Sequence, residues 1–181
     1  LIKEMNKKAK TISESLGKVN DLASSDQSKL HKNIALGALK YHILKVDPKK
    51  RILFDPNESI DFNGNTGPFI QYTYARIQSL LRKNTNKISF TDVKLSDKER
   101  MLIIHLNDFP NVLLNAYSNL NPALVANYVY DLVKLYNSFY QSSTVIGNDE
   151  INSFRILLSK KVGEYINKSM SLLGIEVPNR M

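Results

Sequence analysis

Residues 62–83 read FNGNTGPFIQYTYARIQSLLRK. Two glycines, two asparagines and a threonine crowd the first six positions, and then the turn chemistry stops. Pro68 suits the first turn of a helix, where its missing N–H would have no partner anyway. The spacing predicts a helix from Pro68 to about Lys83. At 100° per residue, Ile70, Thr73, Tyr74, Ile77, Leu80 and Leu81 share one side. Tyr72, Arg76, Ser79 and Lys83 share the other. The period is helical, and the rest of the chain repeats it.

Upstream, LIKEMNKKAKTISESLG places Leu1, Met5, Ala9, Ile12 and Leu16 one helical turn apart, with Gly17 at a C-terminal cap position. ASSDQS reads as a polar loop, after which Asp26 or Ser28 caps a second helix that stops at Asp47-Pro48. KKRILFDP reads as extended chain ended by Pro56. Downstream, residues 90–93 (FTDV) form a short run. Ser96 and Glu99 then stand three apart, as a capping box requires, before ERMLIIHLNDF. Pro110 breaks or kinks that helix, and VLLNAYSNL continues it. Asn121-Pro122 starts another, through ALVANYVYDLVKLYNSFYQ, and Asn148 or Asp149 caps a last long helix that ends at Gly174. The expectation is an all-α bundle of about six helices, without internal repeats.

The 181 residues suffice for one good-sized core or two small ones. No apolar run approaches the ~18 residues that span a bilayer, which points to a protein without a membrane anchor. With no cysteine, disulfides and thiolate metal sites are excluded, and a reducing, cytoplasmic setting is the simple reading. The chain opens on Leu1 within helical periodicity, as a piece of something longer would. Residues 1–54 carry 12 Lys/Arg against 5 Asp/Glu, a net charge of +7. The other 127 residues carry 13 against 12, only +1. A basic segment suits an acidic partner such as nucleic acid, or is simply a solvated lysine face.

Catalytic chemistry is missing. There is no glycine-rich phosphate loop, no dinucleotide fingerprint and no His/Glu zinc pair. His31, His42 and His105 stand far apart and suit packing or surface roles. Asp149-Glu150 lies at a helix start, where the helix dipole explains it. Binding chemistry is present instead. Tyr72, Arg76 and Lys83 offer a flat ring and two cations, the groups that stack on bases and pair with phosphates. In the helix after Pro122, Leu124, Val125, Tyr128, Leu132, Leu135, Tyr136 and Phe139 form the apolar face. Tyr130, Lys134, Asn137 and Gln141 share the polar face, with Tyr140 at the boundary. Spacing alone leaves both faces open to a plainer reading, in which neighbouring helices cover them.

Four segments carry a resemblance: GALKYHILKVDPKKRILFDP, then FNGNTGPFIQYTYARIQSLLRK, then NYVYDLVKLYNSFYQ, and LLGIEVPNRM at the terminus. In order and spacing they resemble the arginyl-tRNA synthetase family, across nearly the whole chain. The most specific piece is the Gly64-x-Thr66-x-Pro68 turn running into Gln71-Tyr72-x-x-Ala75-Arg76-Ile77, followed by the Arg180-Met181 ending. The resemblance implies a class I synthetase that joins arginine to tRNA-Arg with ATP and Mg, working as a monomer. Residues 1–62 would be the connection after the catalytic nucleotide-binding domain, and residues 63–181 the α-helical anticodon-binding domain. The His-Ile-Gly-His signature is absent, and KSMS at 168–171 sits inside a predicted helix rather than a signature loop. The fragment alone is therefore expected to be inactive, with arginine and ATP bound by the missing catalytic domain.

Carried over residue by residue, the resemblance implies anticodon-arm contacts for Tyr72, Arg76, Tyr140 and Met181. Tyr130 and Asn137 rest on the helical wheel and on membership of the same motif. Phe69 stands where the family often has tyrosine, and SSTVIGND after Tyr140 is too dissimilar for loop contacts to be transferred. A helical scaffold that docks proteins by its apolar faces is the alternative from another class. A self-contained enzyme lacks a nucleophile, a metal site or a phosphate site.

Overall fold

The computed structural model describes residues 1–15, 24–84, 92–147 and 150–181. Eight helices occur among them: α1 (Ile2–Ser15), α2 (Ser24–Leu44), α3 (Pro56–Ser59), α4 (Gly67–Lys83), α5 (Asp97–Asn107), α6 (Phe109–Ser118), α7 (Ala123–Ser142) and α8 (Glu150–Leu172). The all-α expectation holds, and the described residues contain no strand. The count exceeds six for two local reasons. Asp55 caps Asn57 N–H at 2.7 Å and Pro56 opens α3, so that proline starts a one-turn helix as well as ending the extended chain. Pro110 breaks its helix outright, giving α5 and α6.

Helix starts follow local chemistry closely. Ser96 and Glu99 make the complete capping box, each side chain bonded to the other's backbone N–H. Asn121 accepts the Ala123 N–H at 3.0 Å through its side chain, ahead of α7. ASSDQS is a correction: α2 already begins at Ser24, and Asp26 lies in its first turn, where a carboxylate complements the helix dipole. The expected caps at Asn148 and Asp149, the stop at Gly17, and Leu16, Phe90 and Thr91 lie outside the described residues. At the other end of α8, Ile175 N–H bonds Met170 O and Gly174 N–H bonds Ser171 O, both at 2.9 Å. That pair of bonds is a Schellman stop, sealed by buried Met170 and Ile175.

The core has two clusters. The larger gathers α7 with α4, α5, α6 and α8 around fully buried Ile70, Ile77, Leu102, Leu132, Tyr136, Phe139, Ile166 and Met170. The smaller holds Met5, Ala9, Leu30, Ile34, Ala35, Ala38 and Ile60 between α1, α2 and the chain after α3. Met170 lies inside α8, so KSMS is helical and packed. His42 and His105 are packing residues: His42 meets Phe54 edge-on at 5.1 Å, and His105 stacks on Tyr128 at 4.4 Å. Leu124 is the exception on the apolar face of α7. It is exposed, while Ala126, Val129 and Val133, absent from the wheel assignment, are buried.

Candidate nucleic-acid interface

The turn before α4 is built by short-range bonds. Asp61 accepts the Asn63 N–H at 2.9 Å, and Gly64 takes a left-handed φ of 80° that a side chain would strain. Thr66 caps the helix by accepting the Phe69 N–H at 3.3 Å, and its hydroxyl donates to Asp61 O. Gly67 is required by packing: a Cβ there would lie 2.5 Å from the Gly37 carbonyl of α2. The backbones of α2 and α4 therefore touch at this point. Tyr41, fully buried, donates to Ala126 O at 2.9 Å and lies 2.6 Å from the Asn65 side chain, so the turn is bound to α7 as well.

With its start pinned on both sides, α4 presents one flank to α7. Arg76 donates to Asn137 Oδ1 at 3.2 Å, and Asn137 donates to Thr73 Oγ1 at 3.3 Å. The Arg76 guanidinium stands 5.0 Å from the Tyr72 ring centre and 5.8 Å from that of Tyr140. Tyr140 packs at 5.9 Å on Tyr136, whose hydroxyl is pushed up to about 12 by burial. One turn earlier, Phe69 meets Tyr130 at 6.1 Å, and Lys134 lies 5.4 Å over the Tyr130 ring. These pairs show that α4 and α7 run in the same direction along this seam.

Tyr72, Arg76, Asn137 and Tyr140 are thus brought together, and Tyr130 flanks them. All are half-buried. The wheel placed Tyr72 and Arg76 away from the core, and the structure corrects this by degree: α7 covers half of that face. The cation is held but not neutralised. Among the described residues no carboxylate lies within ion-pair distance of Arg76. A charged group flanked by two ring faces and one amide oxygen retains donors for an anion.

Met181 is reached differently. It packs on the smaller core cluster, as does Phe62, and the Phe62 ring meets Tyr72 edge-on at 6.2 Å. The tail carrying Met181 is tied down along its length. Lys40 donates to Gly174 O, Asn33 to the Glu176 carboxylate at 2.8 Å, and Arg82 to Asn179 O at 3.2 Å. The central tie is Gln71, fully buried, donating to Glu176 O at 2.7 Å and Asn33 O at 3.2 Å. Gln71 and Phe62 were not singled out by sequence reasoning. The available signal was a polar residue between Ile70 and Tyr72 on a helix whose neighbour carries Gly37, since a Cβ at Gly37 would lie 2.5 Å from the Gln71 amide.

Residues 70–181 match the DALR anticodon binding domain family. The chain belongs to that family. It is also 53% identical over 184 residues to an arginine–tRNA ligase of Flavobacterium psychrophilum, covering all of this chain and 31% of that protein. Among solved structures it resembles the Thermus thermophilus arginyl-tRNA synthetase, with a TM-score of 0.90 and 28% identity over 99% of this chain and 31% of that one. The Plasmodium falciparum arginyl-tRNA synthetase gives a TM-score of 0.86 at 28% identity, over 100% of this chain and 33% of that one. The chain thus spans about a third of the length of these relatives. As a DALR domain it is a helical bundle whose family match opens at Ile70, just inside α4.

The described residues do not fit a metal-dependent nucleotide site. No group of three or more His, Asp or Glu is placed to hold an ion. No helix among them is long and apolar enough to cross a membrane.

Proposed function

We propose that this chain is the tRNA-recognition part of an arginine–tRNA ligase and that the α4–α7 seam meets the anticodon arm of tRNA-Arg. The observation that carries the reading is Arg76, fixed between two tyrosine rings without a carboxylate, in a chain of the DALR family. Tyr72 and Tyr140 supply ring faces for unstacked bases, Arg76 pairs with phosphate or a base edge, and Asn137 orients Arg76. Tyr130 extends the surface by one helical turn. Met181, on the tail held by Gln71, borders it through the Phe62 cluster.

In this reading residues 63–181 are the anticodon-binding domain, and residues 1–62 the connection to a catalytic nucleotide-binding domain. That catalytic part binds arginine and ATP with Mg, and it supplies the chemistry of arginyl transfer. The fragment alone forms no aminoacyl-tRNA, and the intact protein works as a cytoplasmic monomer. The test is a fluorescence titration of tRNA-Arg against the parent, Tyr72→Ala and Arg76→Ala. Both variants are expected to keep their helical circular dichroism and to bind more weakly. Parent-like binding by both would remove the seam from the interface, and binding that ignores salt would favour a protein-docking scaffold.

A further inference from the structure

The excess charge of residues 1–54 is not used by the α4–α7 seam, and the structure shows where part of it gathers. A groove of about 650 Å³ between α1 and α2 is lined by Asn6, Lys7, Lys10, Gln27, Ser28, His31 and Lys32. None of these residues is acidic. Lys7 and Lys10 stand one helical turn apart on α1, and Lys32 faces them from α2. All three are exposed, while His31 is buried beneath them.

The opposite flank of α1 behaves differently. There a cavity of about 610 Å³ includes Glu4, Asp61 and Asn57, and Lys8 bonds Asn57 at 2.7 Å and pairs with Glu4 at 3.4 Å. One side of the helix neutralises its lysine within the fold. The other gathers three lysines around a polar hollow and places no carboxylate among them. Mutual repulsion of three ammonium groups is unfavourable in the free protein and is relieved by a polyanion. The groove also offers an acceptor, because the Asn6 amide oxygen is buried without a hydrogen-bond partner. A ribose 2′-hydroxyl can donate to such an oxygen.

We infer that the α1–α2 groove is a second RNA contact, in which Lys7, Lys10 and Lys32 hold the sugar–phosphate backbone of the RNA whose anticodon arm meets the α4–α7 seam. This rests on the RNA-binding reading above. The two contacts divide the work: the groove contributes charge without base preference, and the seam contributes stacking.

The test is a salt series of tRNA-Arg titrations on the parent, on a triple variant Lys7→Gln, Lys10→Gln, Lys32→Gln, and on the triple Lys→Arg variant. Each phosphate contact contributes close to one unit to the log–log salt slope, so the Gln variant should be shallower by about two to three units and bind at least about tenfold more weakly in low salt. The Arg variant should restore the slope, since only charge is required. Tyr72→Ala should lose affinity with its slope unchanged, and Lys8→Gln should do neither. A triple Gln variant with the parent's slope and affinity overturns the groove contact while leaving the seam intact. A parent that does not bind tRNA-Arg at all overturns both readings.

Discussion

Two arginines in this molecule each bridge a pair of helices, and they are held in opposite ways. Arg155 of α8 meets Glu99 of α5 at 2.7 Å, and its guanidinium also donates to Thr144 O at 2.9 Å. Glu99 is fully buried, so its charge is answered inside the fold. Arg76 of α4 meets α7 through one amide oxygen and two rings, with no carboxylate in reach. The first arrangement spends its charge on joining helices. The second keeps its charge available beside flat aromatic faces. The difference teaches how to tell a structural arginine from a binding one: the partner's charge decides, more than burial does.

The largest expected effect breaks the structural side. Arg155→Met leaves the Glu99 carboxylate buried and unpaired, which should destabilise the fold by about 3–5 kcal/mol. Urea denaturation followed by circular dichroism measures it, and a loss under 1 kcal/mol would mean the pair matters little. The binding side should respond in the other currency. Tyr72→Ala should weaken tRNA binding by about 1–3 kcal/mol with a much smaller change in urea midpoint. A variant that lost stability and kept affinity would reverse the assignment.

Gln71→Leu tests the tie between them, because it leaves the Asn33 and Glu176 carbonyls without their side-chain donor. A destabilisation of about 1–3 kcal/mol is expected, together with faster hydrogen exchange in residues 174–181. Unchanged exchange there would show that the tail is held by other bonds.

The smallest effect is in pH. Burial pushes the Glu99 carboxyl up, but the bonds from Arg155 and Ser96 outweigh it and leave the group below the usual carboxylate value. A depressed folded value contributes stability above the unfolded pKa, and that stability is lost as pH falls through the folded value. The parent should therefore lose part of its stability only below the ordinary carboxylate range. Glu99→Gln should lack that portion of the acid limb, and identical acid profiles for the two proteins would refute the linkage.

Much of this was legible locally. The capping box at Ser96 and Glu99, the turn into α4 and the side-chain cap from Asn121 depend on bonds between residues two or three apart, so sequence spacing contains them. The α4 wheel identified Ile70, Ile77 and Leu80 as core because burial follows the helical period. The wheel misjudged Leu124, and it could not see that Gln71 is fully buried. Both depend on which neighbour arrives: α7 turns Leu124 to solvent, while the closely approaching α2 and the returning tail enclose Gln71.

The sequence by itself determined an all-α chain, its main helix starts, and the residue types on the outer faces of α4 and α7, because these follow from contacts within a few residues. Only the tertiary structure decided that α4 and α7 run side by side and bring Tyr72, Arg76, Asn137 and Tyr140 together from residues up to 68 positions apart. It also decided which cations stay unanswered, at Arg76 and in the α1–α2 groove. A residue's charge is written in the chain, but whether a carboxylate meets it depends on which helices pack against it.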